Sequence, residues 1–151
     1  MNKALHFSSK KHNWETPQSF FEELDREFNF TLDATADDLN HKCEQYFTEE
    51  QDALSQEWKG SVFCNPPYGR ELPKFIKKAY EESQKDHNDV IVLLIPARTD
   101  TKAWHDYILG QAEIRFIKGR LMFEVDGNKI DRAPFPSALV IFKKAGAANE
   151  Q

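Results

Sequence analysis

Val90-Ile91-Val92-Leu93-Leu94-Ile95 is an unbroken run of six apolar residues, and Pro96 follows it at once. The run is short for a globular helix and lacks the polar alternation of a strand with one wet face. It predicts a strand buried on both faces. Pro96 ends that strand, because proline has no N–H to give a central ladder. A strand of this kind needs a layer above and a layer below. Leu72 to Gln84 supplies one helix, with Leu72, Phe75, Ile76, Ala79 and Tyr80 on a single stripe. Thr101 to Leu109 supplies another. Upstream, Thr16 and Pro17 suit the N-cap and first position of a helix that carries Phe20, Phe21, Leu24 and Phe28.

The other strands read from shorter runs. Phe30 to Ala34 and Ser61 to Cys64 are extended, Tyr46-Phe47 is a brief strand, and Asp37 to Lys42 is a turn or short helix. Glu113 to Ile117, Leu121 to Val125 and Ala138 to Phe142 follow, the last two expected to join through a turn at Asp126-Gly127-Asn128. Strands alternating with helices imply a parallel sheet, and the final pair implies an antiparallel edge. The expected fold is α/β and single-domain: a doubly wound, mostly parallel sheet with an antiparallel edge. The domain spans 14–144, between flexible segments at 1–13 and 145–151. Ligands of such sheets bind outside the carboxyl ends of the strands. Asp33, Asn65 to Tyr68, and Pro96 to Asp100 therefore carry the most functional interest.

Composition narrows the class. Hydrophobic residues make up 40% of the 151 and charged residues 30%, an ordinary globular balance. No apolar stretch approaches the roughly 18 to 20 residues of a membrane span, so no membrane partner is expected. Met1 to Asn13 has lysines but no continuous apolar run, unlike a secretory signal. Cys43 and Cys64 are too few for a disulfide framework, which fits a reducing cytoplasm, and Cys64 reads as a small buried hydrophobe. His6, His12, His41, His87 and His105 lack ligand spacing, so no metal is expected. No phosphate loop of the G-x-x-x-x-G-K-[ST] type is present. Net charge is -5 but uneven: Glu15 to Glu57 holds 13 acidic residues against Arg26 and Lys42, while the rest carries 18 basic against 12 acidic. Either one face suits a polyanion, or two solvated surfaces simply differ.

Asn65-Pro66-Pro67-Tyr68, directly after a hydrophobic strand, is the segment with the clearest chemistry. An amino group conjugated to an aromatic ring is a poor nucleophile, because its lone pair is delocalised. Two acceptors that take both amino hydrogens favour a pyramidal nitrogen with its lone pair aimed at an electrophile. The Asn65 side-chain oxygen supplies one acceptor and the Pro66 carbonyl the other. The rigid prolines fix the second, which is preorganisation rather than acid–base chemistry. Tyr68 offers a flat face for an extruded base. Two other readings stay open: a plain strand-ending turn, or an NPxY-type peptide signal. The latter wants an accessible tail, whereas this segment lies mid-chain.

The tetrapeptide is the hallmark of methyltransferases acting on amino groups of DNA adenine, RNA bases or glutamine amides. A wider ordered set stands around it: Trp14-Glu15-Thr16-Pro17, Leu32-Asp33-Ala34, Asp52-Ala53-Leu54 with Trp58, Pro96-Ala97-Arg98-Thr99-Asp100-Thr101, Gly119-Arg120-Leu121 and Ala133-Pro134-Phe135-Pro136-Ser137. Over roughly residues 12 to 143 this set resembles the compact phage-type Dam family of DNA N6-adenine methyltransferases. The resemblance implies a Rossmann-like fold, S-adenosyl-L-methionine as cofactor, and double-stranded DNA with a flipped adenine as partner. It also implies action in the host cytoplasm from a phage or prophage gene, by a monomer or weak dimer. It assigns catalysis to Asn65, Pro66 and Tyr68. Cofactor contacts fall to Trp14, Thr16, Pro17, Asp33 and Asp52, with the helix start at Pro17 offering N–H groups to a carboxylate. One departure stands out: Asp33 to Asn40 contains no glycine where most methyltransferases have a glycine-rich loop.

Among the basic residues, Arg98 lies past the buried strand at the same sheet end as the tetrapeptide. With Lys102 and Arg120 it is a candidate DNA contact. For Lys102, Arg115, Lys118 and Arg120 a plain solvated charge is an equal alternative, and Trp104 reads as core. Methyl transfer to another amino group (RNA base, cytosine N4 or protein glutamine) and a non-catalytic DNA-binding module on the same fold are the alternatives.

Overall fold

The apolar run forms the middle of a six-stranded sheet in a computed structural model that describes residues 14–125 and 128–144. The expected flexible ends, and residues 126 and 127 of the expected turn, lie outside the described residues. In chain order the elements are α1 (Gln18–Phe28), β1 (Leu32–Asp33), β2 (Gln45–Tyr46), β3 (Gly60–Cys64), α2 (Leu72–Ser83), β4 (Asn88–Pro96), a π-helical turn (Trp104–Ile108), β5 (Glu113–Phe116), β6 (Met122–Val125), β7 (Asn128–Arg132) and β8 (Ser137–Phe142). Short 3-10 turns at Glu49–Gln51 and Ala53–Ser55 link β2 to β3. No helix of the described residues is long and apolar enough to cross a membrane.

The sheet order is β2-β1-β3-β4-β8-β5. β1 pairs in parallel with β2 and β3, and β3 in parallel with β4, whereas β8 is antiparallel to both β4 and β5. The antiparallel strand is thus second from the edge rather than at it. Every residue of Ser137–Phe142 is buried, while β5 carries the polar Glu113 and Arg115 and an exposed Phe116, so the more apolar strand takes the inner place. A second correction concerns the expected link from Leu121–Val125 to Ala138–Phe142. Val125 instead pairs with Asn128, and β6 and β7 form a separate antiparallel pair, the hairpin. Asn128–Arg132 holds one apolar residue, Ile130, too few for a strand pattern to show.

Alternation along the central strands builds two cores. Val62, Cys64, Ile91, Leu93, Ile95, Ala138, Val140 and Phe142 face α2 and the π turn, meeting Leu72, Phe75, Ile76, Ala79, Trp104 and Ile108. Phe63, Val90, Val92, Leu94, Leu139 and Ile141 face α1 and the hairpin, meeting Phe21, Leu24, Phe123 and Ala133. Ile91 to Ile95 are fully buried, each such side chain contributing about 1.5–3 kcal/mol. The mostly parallel sheet covered on both faces is the doubly wound architecture. Within the expected helix at 101–109, Trp104–Ile108 widens into π rather than α geometry, with the Leu109 N–H donating to the Trp104 carbonyl at 2.9 Å.

Gly60 shows how closely β3 is laid in. It has φ +77°, and a side-chain carbon there would meet the Thr31 hydroxyl at 2.6 Å. At the start of α1, Pro17 occupies the N-cap position and no side chain caps the helix. Thr16 is drawn away to a tertiary partner.

Candidate active site

Because β1, β3 and β4 are parallel, their carboxyl ends share one edge of the sheet. Asp33 ends β1, Asn65 follows β3, and Ala97-Arg98 follow β4. A cavity of about 640 Å³ opens there, lined by Trp14, Thr16, Asp33, Asp52 and Asn65 among others. That volume is in the range of small-molecule sites.

Asn65 is held at both side-chain polar atoms and at its main-chain carbonyl. Its Nδ2 donates to the Trp14 carbonyl and, at 3.2 Å, to the Thr16 hydroxyl. Its Oδ1 accepts from the Tyr68 hydroxyl at 2.7 Å, and its main-chain carbonyl accepts from the Thr35 hydroxyl at 2.9 Å. Trp14 to Thr16 can serve here because Glu15 and Glu124 exchange backbone hydrogen bonds of 3.0 and 2.9 Å, adding this segment to the hairpin. The hydroxyl that suits a helix cap thus serves Asn65 instead.

Asp33 is buried, and its two oxygens accept from the Thr35 N–H at 3.2 Å and the Lys42 N–H at 2.9 Å. Burial pushes its carboxyl above the ordinary Asp value, against the pull of those hydrogen bonds. Asp52 is exposed in a left-handed backbone conformation, φ 56°, that joins the two 3-10 turns. Glu15, Asp37, Glu49 and Glu71 also line the cavity, against Lys42 as its basic residue. The lining therefore favours a ligand of net positive charge. Glu49 was not singled out from sequence, although it follows a strand, because β2 is only two residues long.

Tyr68 and Pro66 are buried and lie away from the cavity lining. The Tyr68 ring meets Phe123 at 6.3 Å and Phe135 at 5.5 Å, both edge-on, and Trp14 packs edge-on against the same two rings. The expected stacking face is covered in this arrangement. Burial also pushes the Tyr68 phenol well above its usual value, so it is a neutral donor. Of the basic candidates, exposed Arg98 sets its guanidinium 5.9 Å from the Phe135 ring centre. Arg120 brings Nη1 within 3.5 Å of the Ala133 carbonyl, so both reach the segment before β8. Lys102 is bound to Asp106 on its own helical turn at 2.5 Å.

A family model described as DNA N-6-adenine-methyltransferase (Dam) matches residues 4–149. A DNA N-6-adenine-methyltransferase of Escherichia phage T1 is 34% identical over 123 residues, covering 80% of this chain and 50% of its own length. One of Haemophilus phage HP1 is 34% identical over 150 residues, covering 95% of this chain and 85% of its own. The chain spans half the length of the T1 relative and most of the HP1 relative. Among solved structures, a chain from Pyrococcus horikoshii covers 66% of this one and 48% of its own length, with 17% identity and a TM-score of 0.39, too little to bear on function. With a match running nearly end to end and a second one spanning most of a phage relative, the chain belongs to the DNA N-6-adenine-methyltransferase (Dam) family.

Proposed function

We propose that this chain methylates the N6 amino group of adenine in double-stranded DNA, with S-adenosyl-L-methionine as methyl donor. The observation that carries the reading is Asn65, fixed by four hydrogen bonds on the rim of an acidic cavity at the carboxyl edge of the sheet. The donor is a net cation, and the lining of carboxylates fits it. Asp33, Asp52 and Glu49 would hold its positive and hydroxyl-bearing parts, with Trp14 and Thr16 along one wall. The first turn of α1, after Pro17, offers unpaired N–H groups to its carboxylate. When bound, the donor supplies an electrophilic methyl carbon.

The protein's own part is to hold the amine. Asn65 Oδ1 keeps one lone pair beyond the one Tyr68 uses, and with the Pro66 carbonyl it can take both hydrogens of N6. The nitrogen lone pair is then released from the ring and directed at the electrophile. The target adenine leaves the base stack to arrive there, and stacking on Tyr68 requires Phe135 to give way. Arg98 and Arg120 serve the DNA backbone or base edges. Phage relatives point to the host cytoplasm as the place of action.

The test is incubation with methyl-labelled donor and DNA, RNA or protein, followed by nucleoside and amino-acid analysis. Label recovered as N6-methyladenine from DNA is the expected result. Label as N4-methylcytosine, in RNA or on glutamine overturns the substrate. No transfer together with no donor binding by calorimetry favours a DNA-binding module instead.

A further inference from the structure

We propose that Thr35 is a positioning residue that ties the cofactor cavity to the catalytic corner; the role rests on the methyltransferase reading above. Thr35 stands in the glycine-free loop after β1, half-buried, and lines the cavity. Its N–H donates to Asp33 Oδ1 at 3.2 Å, and its hydroxyl donates to the Asn65 main-chain carbonyl at 2.9 Å. The other Asp33 oxygen accepts the Lys42 N–H at 2.9 Å, so the carboxylate closes the loop between residues 33 and 42. Asp33, Thr35 and Asn65 form one chain of contacts from the cavity wall to the tetrapeptide.

The remaining bonds to Asn65 grip its side chain. Thr35 alone, among the hydrogen bonds described, grips its backbone carbonyl. That carbonyl belongs to the peptide joining Asn65 to Pro66. Holding its plane therefore sets two things together: the origin of the Asn65 side chain and the course of the chain toward the Pro66 carbonyl. Both acceptors of the amine depend on one hydroxyl. The absence of glycine makes sense in these terms, because a stiff loop transmits a fixed position better than a pliant one.

The experiment compares Thr35→Val and Thr35→Ser in the full chain. Valine keeps the branched shape and removes the donor, and serine keeps the donor. In Thr35→Val, kcat falls about 10-fold, the scale of one lost hydrogen bond, while calorimetric affinity for S-adenosyl-L-methionine stays within about threefold. Thr35→Ser recovers kcat to within about threefold of wild type. In cofactor-free protein, the Asn65 side-chain amide resonances shift in the valine variant and return in the serine variant. An unchanged kcat in Thr35→Val overturns the proposal. So does a fall in kcat that donor affinity follows equally in both variants, which marks loss of folded protein. Wild-type chain that transfers no methyl group to DNA, RNA or protein overturns the methyltransferase reading, and this role with it.

Discussion

The Tyr68 hydroxyl lies 2.7 Å from Asn65 Oδ1 and 3.0 Å from the Leu94 carbonyl, and it has a single proton for the two acceptors. Tyr68 is thus tied both to the Asn65 amide and to the central strand. Its ring, walled by Phe123 and Phe135, holds the hydroxyl in place. Asn65 in turn has its amide orientation set by Trp14 and Thr16 on the nitrogen side. The corner is rigid by packing as well as by its prolines.

Asn65→Ala removes an acceptor and leaves the cavity walls standing. Transfer falls at least about 100-fold, the scale of deleting one preorganised polar contact in an active site. Affinity for S-adenosyl-L-methionine, measured by calorimetry, changes only a few-fold. Near-normal transfer by this variant would sink the assignment.

Tyr68 separates packing from hydrogen bonding. Tyr68→Ala leaves a hole beside Phe123 and Phe135 and costs about 3–5 kcal/mol of stability in urea unfolding. Tyr68→Phe keeps the ring and loses the hydroxyl, at less than about 1.5 kcal/mol. A phenylalanine variant as unstable as the alanine one would place the main contribution in the hydroxyl, against the packing account.

Asp33 makes donor binding depend on pH. Burial holds its carboxyl above the ordinary value near 3.8, so on acidification it takes up a proton earlier than an exposed Asp. The cationic donor needs the charged form, so affinity declines as pH falls through that raised value and is full above it. Calorimetry between about pH 4 and 8 should show a midpoint above 3.8. In Asp33→Asn the affinity is lower above that midpoint, meets the wild-type value below it, and this acid limb disappears. An unchanged limb would assign the titration to another group.

The apolar run and the Asn65 corner were legible because each is local: six residues without polar alternation, and two prolines after a strand. Interior or edge placement of the antiparallel strand was not, since it turns on whether Ser137–Phe142 or Glu113–Phe116 is the more thoroughly buried. Thr16 shows the same limit at the site. Cap grammar found the helix start, but the hydroxyl serves an amide 49 positions away, a partner only tertiary folding supplies. Thr35 and Glu49 escaped for a like reason, lying on loops with no periodicity to read. Tyr68 was read as an open platform because sequence does not reveal that Phe123 and Phe135 close over it.

Arg98 and Arg120 differ from Lys102 in what already engages them. Lys102 is paired with Asp106 at 2.5 Å, whereas the two arginines reach toward the segment before β8. Replacing either arginine with alanine weakens DNA binding and lowers the slope of log affinity against log salt by about 1 if it meets a phosphate. Lys102→Ala has a smaller effect on both. A larger effect at Lys102 would relocate the DNA face toward the π turn.

Glu82 gives a prediction about stability alone. Its side chain is 2% exposed, accepts the Trp58 N–H at 2.8 Å, and meets Lys78 at 3.2 Å and Lys85 at 2.6 Å. Burial works to raise its pKa, but the hydrogen bonds from Lys85, the Trp58 N–H and Lys78 prevail and carry it down to about 2 from 4.5. A lowered folded value means stability that is fully present above pH 4.5 and is lost as pH falls toward 2. The difference corresponds to about 3 kcal/mol at neutral pH, roughly half of it remaining by pH 3. Glu82→Gln keeps the volume and an acceptor for Trp58 while losing the ion pairs to Lys78 and Lys85, so it should be destabilised by about that amount at pH 7 and by about half as much at pH 3. Urea unfolding at the two pH values measures this directly. An equal loss at both would mean that Glu82 holds α2 to the start of β3 by shape, with its charge contributing nothing.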